Sequence, residues 1–235
     1  MNYSGISECD VLNGTGFRVV LFVSGCSHRC YNCQNPKTWD KNFGHPFTEK
    51  TKQYIFNCLD KDYIDGITIT GGDPLYKYNL DEVLKLVQEI RISFPEKTIW
   101  LYTGYEMSEI VKQEQYERVS GIPDVWSKRW EIIKQVNVLV DGEYIDEQKD
   151  LSLKFRGSKN QRVIDVKQSL AQNKVILYCD YMRRFHVKAS EQSSSTFRSS
   201  ICGGWEMMRK ERIGGRRYVL LRIRDDGMRY KIMLP

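Results

Sequence analysis

The sequence predicts an α/β fold organised around a parallel sheet. Three observations carry this expectation. Short β-rich apolar runs recur along the first two-thirds of the chain, a segment of clear amphipathic spacing lies between two of them, and each run stops at a polar loop containing glycine. Strands alternating with helices over such lengths pack as parallel sheets with helices across their faces.

Phe17-Arg18-Val19-Val20-Leu21-Phe22-Val23 is the first run; it ends at Ser24-Gly25, and a cysteine loop follows. Ile67-Thr68-Ile69-Thr70 is the second, closed by Gly71-Gly72-Asp73-Pro74. Asn79 with Glu82 three residues later has the form of a capping box. Leu80, Val83, Leu84, Val87 and Ile90 then recur at helical spacing, so a helix is expected over 80–93. Thr98-Ile99-Trp100-Leu101-Tyr102 is the third strand, ending in Thr103-Gly104-Tyr105, and Val136 to Val140 is the fourth, ending in Asp141-Gly142. Parallel α/β folds bind ligands at the carboxyl ends of their strands, so these four loops are expected to build one site. Further on, the serine-rich segment 190–200 reads as a linker. Arg217 to Ile223 and Met228 to Met233, around Asp225-Asp226-Gly227, read as a β-hairpin.

A chain of 235 residues with 41% hydrophobic and 28% charged residues has the composition of a soluble globular protein. It holds no run of about 18 apolar residues and no basic-then-apolar leader, so a cytoplasmic protein without a membrane partner is expected. Residues 1–178 carry 23 Lys and Arg against 24 Asp and Glu, a net of −1; residues 179–235 carry 13 against 6, a net of +7. The basic balance belongs to the tail. No nucleic-acid-binding motif stands in it, so a solvated or partner-facing extension is expected there rather than a nucleic-acid partner.

Seven cysteines, an odd number, do not suggest a disulfide framework. Three of them crowd into Cys26-Ser27-His28-Arg29-Cys30-Tyr31-Asn32-Cys33, a spacing of four and then three. Thiolates are the ligands of iron–sulfur clusters, and three can cap three irons of a cubane while the fourth iron stays open for a chelating ligand. On these residues alone a structural zinc held by Cys26, His28, Cys30 and Cys33 stays open as the alternative, giving an interaction module with a basic nucleic-acid-binding tail. The glycines of Gly71-Gly72-Asp73-Pro74, lacking Cβ atoms, are expected to let the backbone approach a bound ligand.

The C-x3-C-x2-C loop after the first strand resembles the signature of the radical S-adenosylmethionine (SAM) superfamily. Further stretches resemble the activating proteins of anaerobic (class III) ribonucleoside-triphosphate reductase: Met1-Asn2-Tyr3, Val11 to Gly14, Leu21 to Cys26, Gly71 to Leu75, Thr103-Gly104-Tyr105, Asn137 to Gly142, and Arg156-Gly157-Ser158 with Asn160-Gln161. They stand in family order over residues 1–162.

The resemblance implies a partial (β/α) barrel over residues 1–165, followed by a basic extension over 166–235. It implies a [4Fe–4S] cluster on Cys26, Cys30 and Cys33, and SAM as the second cofactor, contacted by Asn32, Cys33, Gln34, Gly71, Gly72 and Asp73. The implied activity is reductive cleavage of SAM, with the electron from an external flavodoxin-like donor. The product radical would install a glycyl radical on the large subunit of the reductase; the alternative partner is another glycyl-radical enzyme of the pyruvate formate-lyase type. Residues 113–132 look inserted relative to the family, and Asp73, Asp141 and Glu143 have a turn or surface reading as well.

Overall fold

The computed structural model describes residues 1–120 and 125–178, and the backbone of the strands lying within 188–234. These residues fall into two compact units, Met1–Ile176 and Leu177–Pro235. In the first, the elements run β1 (Asn2–Asp10), β2 (Arg18–Val23), β3 (His45–Pro46), α1 (Glu49–Leu59), β4 (Gly66–Gly71), α2 (Leu80–Ser93), β5 (Thr98–Tyr102), α3 (Met107–Ser120), α4 (Val125–Gln135), β6 (Val138–Asp141), β7 (Arg162–Asp165) and α5 (Val166–Gln172).

The strands form one seven-stranded sheet in the order β3-β1-β2-β4-β5-β6-β7. Its centre is parallel, as expected: β2 pairs β4, β4 pairs β5 and β5 pairs β6 in parallel. The margins are not, since β1 runs antiparallel to β2 and β7 antiparallel to β6. The sheet is therefore mixed. Val19, Val20, Leu21, Ile67, Ile69, Ile99, Leu101, Val138 and Leu139 are all fully buried. Runs such as Val19-Val20-Leu21 and Ile99-Trp100-Leu101 are apolar without alternation because both faces of the central sheet are covered, and in β4 the intervening Thr68 is buried as well. The parallel register sets Val23 beside Gly71 and Tyr102 beside Val140, so the four strands end level and their loops gather on one margin.

Helix α2 occupies the expected residues and buries Leu80, Val83, Leu86, Val87 and Ile90. Each such side chain contributes roughly 1.5–3 kcal/mol relative to an exposed one. The expected capping box is absent. Asn79 makes no side-chain bond to the helix; its Nδ2 donates instead to the carbonyls of Ser24 (2.9 Å) and Asp73 (3.0 Å). Asn79 is 1% exposed, and those two carbonyls have first claim on its amide protons.

The stretch that looked inserted, 113–132, carries the end of α3 and most of α4. Ile132 and Ile133 of α4 belong to the core, and Arg129 is 4% exposed. The segment is part of the body. Among the described residues no helix is long and apolar enough to cross a membrane.

In the second unit β8 (Lys188–Ala189), β9 (Ser199–Ile201), β10 (Trp205–Ile213), β11 (Arg216–Ile223) and β12 (Arg229–Leu234) form an antiparallel sheet in the order β8-β12-β11-β10-β9. Strands β11 and β12 pair from Arg217 opposite Leu234 to Arg222 opposite Arg229. The expected turn Asp225-Asp226-Gly227 and residues 190–198 of the serine-rich segment lie outside the described residues.

The Asn79 geometry makes a prediction. Asn79→Ala removes the side-chain donor from the Ser24 carbonyl and one of the two donors of the Asp73 carbonyl, which keeps Tyr76 N–H, and is expected to lower the unfolding free energy by about 2 kcal/mol. Asn79→Asp supplies a good cap oxygen but no donor, and should cost at least as much. Urea unfolding followed by circular dichroism measures both; an Asp variant near wild-type stability would restore the capping role.

Candidate metal centre

The cysteine loop leaves β2 through Gly25, whose φ of 97° lies in the region that favours glycine. Its root is fastened on both sides. Gly25 N–H donates to the Thr38 carbonyl (2.7 Å) and Cys26 N–H to that of Trp39 (3.2 Å), while Gly72 N–H donates to Val23 (2.7 Å) and Asp73 N–H to Gly25 (2.8 Å). A cleft of about 160 Å³ opens at the strand ends, lined by Cys26, Cys30 and Cys33 together with Gly71, Gly72 and Asp73. His28, Thr103, Gly104, Tyr144 and Gln161 complete much of its wall. Six of the eight residues expected at the site are thus brought together. Asn32 and Gln34 are exposed and do not line the cleft; Asn32 Nδ2 donates to Asp146 Oδ2 (2.8 Å).

Asp73 is no surface turn residue. It is 1% exposed, and its carboxylate accepts from Leu75 N–H (2.7 Å), from Thr103 Oγ1 (3.0 Å to each oxygen) and from Gly104 N–H (3.1 Å). His28 Nε2 lies 2.7 Å from Asp73 Oδ2, and His28 Nδ1 lies 2.6 Å from Glu143 Oε1. Asp141 is likewise buried, accepting from Met107 N–H (2.9 Å) and paired with the Arg162 guanidinium. Burial alone would lower the pKa of His28, but the hydrogen bonds and charges of Asp73 and Glu143 outweigh it and hold the imidazole above its ordinary value. An imidazole between two carboxylates donates from both nitrogens in its protonated form.

That geometry bears on the two metal readings. Both nitrogens of His28 are taken, so His28 is not placed to complete a zinc site with the three cysteines. Among the described residues no three His, Cys, Asp or Glu side chains converge on a single ion. A cubane asks for something different: each thiolate binds a separate iron, so the thiols need to line one cleft without meeting at a point. Cys26, Cys30 and Cys33 do so. The other described thiols do not, Cys9 being exposed and Cys58 packed in the core; Cys179 and Cys202 lie outside the described residues. The donor set fits a [4Fe–4S] cluster. Burial, reinforced by Asp73, pushes the Cys26 thiol up to about 12, and burial also raises Cys30, so metal uptake must displace their protons.

The glycines serve the fold more directly than expected. A Cβ on Gly72 would stand 2.6 Å from the Gly25 carbonyl oxygen and 3.0 Å from that of Thr38. Gly71, at φ 102°, would bring its own against the backbone of Val23. Both make room for the root of the cysteine loop. Arg29 (φ 52°) and Asn32 (φ 53°), within that loop, adopt left-handed backbones that cost about 1–3 kcal/mol each unless the surroundings hold them.

Three contributors were not legible as site residues. Arg129 reaches in from α4, its Nε donating to the Leu75 carbonyl (2.9 Å) and an Nη to the Tyr105 hydroxyl (2.8 Å). Gln161 donates to the Gly142 carbonyl (3.0 Å) and accepts from Gly157 N–H (2.9 Å), closing the turn of Arg156-Gly157-Ser158 onto the loop after β6. His28 stood between two cysteines and read only as a ligand; nothing local points to Asp73 and Glu143.

Comparison with known proteins agrees with the geometry. A family described as a 4Fe-4S single cluster domain matches residues 12–164, which contain every described residue lining the cleft. The fold and the three-thiol cleft define a protein of the single-cluster iron–sulfur class. The anaerobic ribonucleoside-triphosphate reductase-activating protein of Enterobacteria phage T4 is 44% identical over 165 residues, 69% of this chain and 93% of that protein. Its namesake in Escherichia coli K12 is 41% identical over 165 residues, covering 69% of this chain and 97% of its own length. That of Vibrio cholerae is 39% identical over 163 residues, covering 68% and 96%. The chain belongs to the family of anaerobic ribonucleoside-triphosphate reductase-activating proteins.

Gly72→Ala tests the packing role. The added Cβ forces backbone apart at the loop root, so unfolding free energy should fall by about 2 kcal/mol, and less iron should be held after anaerobic reconstitution. Full stability and full iron content in this variant would overturn the packing role.

Proposed function

We propose that this chain is a radical SAM activase of anaerobic ribonucleoside-triphosphate reductase. The observation that carries the reading is the convergence of Cys26, Cys30 and Cys33 with the Gly71–Gly72 backbone on one cleft at the level ends of parallel strands. When bound, a [4Fe–4S] cluster on the three thiolates supplies the single electron, received from an external flavodoxin-like donor, for reductive cleavage of SAM and so for a glycyl radical on the large subunit of the reductase. The protein's own work is to hold and shield. Residues 1–165 form the activase domain in this reading, with the sheet as its partial (β/α) barrel, and 166–235 are the appended extension. Free thiols suit the reducing cytoplasm.

The residues divide the task. The backbone at Gly71 and Gly72 borders the open part of the cleft and offers peptide groups to the amino-acid end of SAM. Asp73, its oxygens already engaged by Leu75, Thr103, Gly104 and His28, acts by holding those loops rather than by a vacant carboxylate. Asn32 and Gln34, at the exposed rim beside Cys33, are the proposed contacts for the nucleoside end. The names of the relatives favour the reductase over a pyruvate formate-lyase type of partner.

The test is anaerobic reconstitution followed by incubation with SAM, a reductant and the reductase. The expected results are one cluster per chain, release of methionine and 5′-deoxyadenosine, and a glycyl-radical signal in electron paramagnetic resonance. Replacing Cys26, Cys30 or Cys33 by Ala should abolish all three, whereas Cys9→Ala and Cys58→Ala should keep them. Loss of the cluster in Cys58→Ala as complete as in Cys30→Ala would overturn the open-iron assignment.

A further inference from the structure

His28 sits between two ligand cysteines, yet it is the most heavily fastened side chain of the loop. Its ring bridges Asp73, on the loop after β4, and Glu143, on the loop after β6, at 2.7 and 2.6 Å. Glu143 is itself restrained, since Asn160 Nδ2 donates to its backbone carbonyl (2.7 Å). Behind the imidazole stands Tyr105, edge-on with ring centres 4.5 Å apart. Behind Tyr105 stands Arg129, whose guanidinium lies 4.0 Å from that ring and 4.2 Å from the ring of Trp126. A continuous column thus runs from α4 to the cysteine loop. Gly104 belongs to it by omission: it has no left-handed φ, but a Cβ there would meet His28 Cδ2 at 2.5 Å and Nε2 at 2.6 Å. The loop itself does not relax into this position, because Arg29, the next residue, is left-handed without being glycine.

We propose that His28 is the positioning residue of the cysteine loop, its ring seating the loop against the ends of β4 and β6 so that the three thiols face one cleft. Groups that orient metal ligands without touching the metal govern how firmly it is held. The helix α4 takes part through Arg129 and Tyr105, which gives the apparent insertion a role at the site. Only the cluster-loaded arm of the test rests on the proposed function.

Arg29 makes the loop's seating measurable without metal, because it is exposed and follows His28 directly. In the iron-free full chain, trypsin should cut after Arg29 at least tenfold faster in His28→Ala than in wild type, with cutting after Lys167 in α5 unchanged. Gly104→Ala removes no hydrogen-bonding side chain but drives the ring out, and should give the same selective acceleration. In reconstituted protein both variants should release iron to a chelator severalfold faster and broaden the electron paramagnetic resonance lines of the reduced cluster. Wild-type cleavage at Arg29 in either folded variant overturns the proposal. Should His28→Ala open every site alike, Gly104→Ala decides. A wild-type chain that takes up no cluster would sink the proposed function and leave the proteolysis result standing; loss of tight zinc binding in His28→Ala would make His28 a ligand and overturn both.

Discussion

A carboxylate buried at the margin of a sheet must find donors within the protein, and Asp73 finds them on three loops. Leu75 supplies one from its own turn, Thr103 and Gly104 supply others from the end of β5, and His28 supplies one from the cysteine loop after β2. Leaving such a group unsatisfied costs about 1–3 kcal/mol, more when it is charged. The loops are therefore not free to wander independently; each has a polar atom committed to the same carboxylate. The level ends of the parallel strands bring the loops near one another, and Asp73 fixes how near.

The glycines around this point answer to packing. Gly71 and Gly72 stand where the backbone of Val23 and Gly25 passes, and Gly104 stands where the ring of His28 lies. A glycine-rich turn beside a ligand site invites the interpretation that the space was cleared for the ligand. Here an added Cβ would meet the protein's own chain, while Gly71 and Gly72 still line the cleft. The two effects are coupled, since a displaced loop root would carry Cys26 with it.

The central strands were legible because burial on both faces leaves few polar positions to interrupt the run, Arg18 and Thr68 being buried exceptions, and α2 because one helical stripe is apolar. Strand β1 carries no such signal. Most of its residues are half-buried, and it forms by pairing with β2 through two register shifts. Helix α1 buries Thr51, Ile55, Cys58 and Leu59, and its box is closed by Thr48 and Thr51 rather than by a glutamate. Arg129 is an ordinary helix residue until Tyr105, Trp126 and the Leu75 carbonyl surround it. The three cysteines announced themselves by spacing. The partners that hold their loop did not, because Asp73 and Glu143 lie 45 and 115 residues from His28 along the chain.

The same separation explains why the chemistry can be confined to one part of the sequence. Every described residue lining the cleft falls from Cys26 to Gln161, inside the matched span of 12–164. Relatives of the family are covered over 93–97% of their length by about 165 residues of this chain, and the family match ends at residue 164, before the second unit begins. Its sequence supplies the net charge of +7 computed for residues 179–235 against −1 for the rest. What unbalanced charge does govern is the potential an approaching partner meets, an influence that reaches about 8 Å at physiological salt and acts on encounter rates. The described residues that line the cleft thus belong to the neutral part of the sequence, and the charge imbalance to its end.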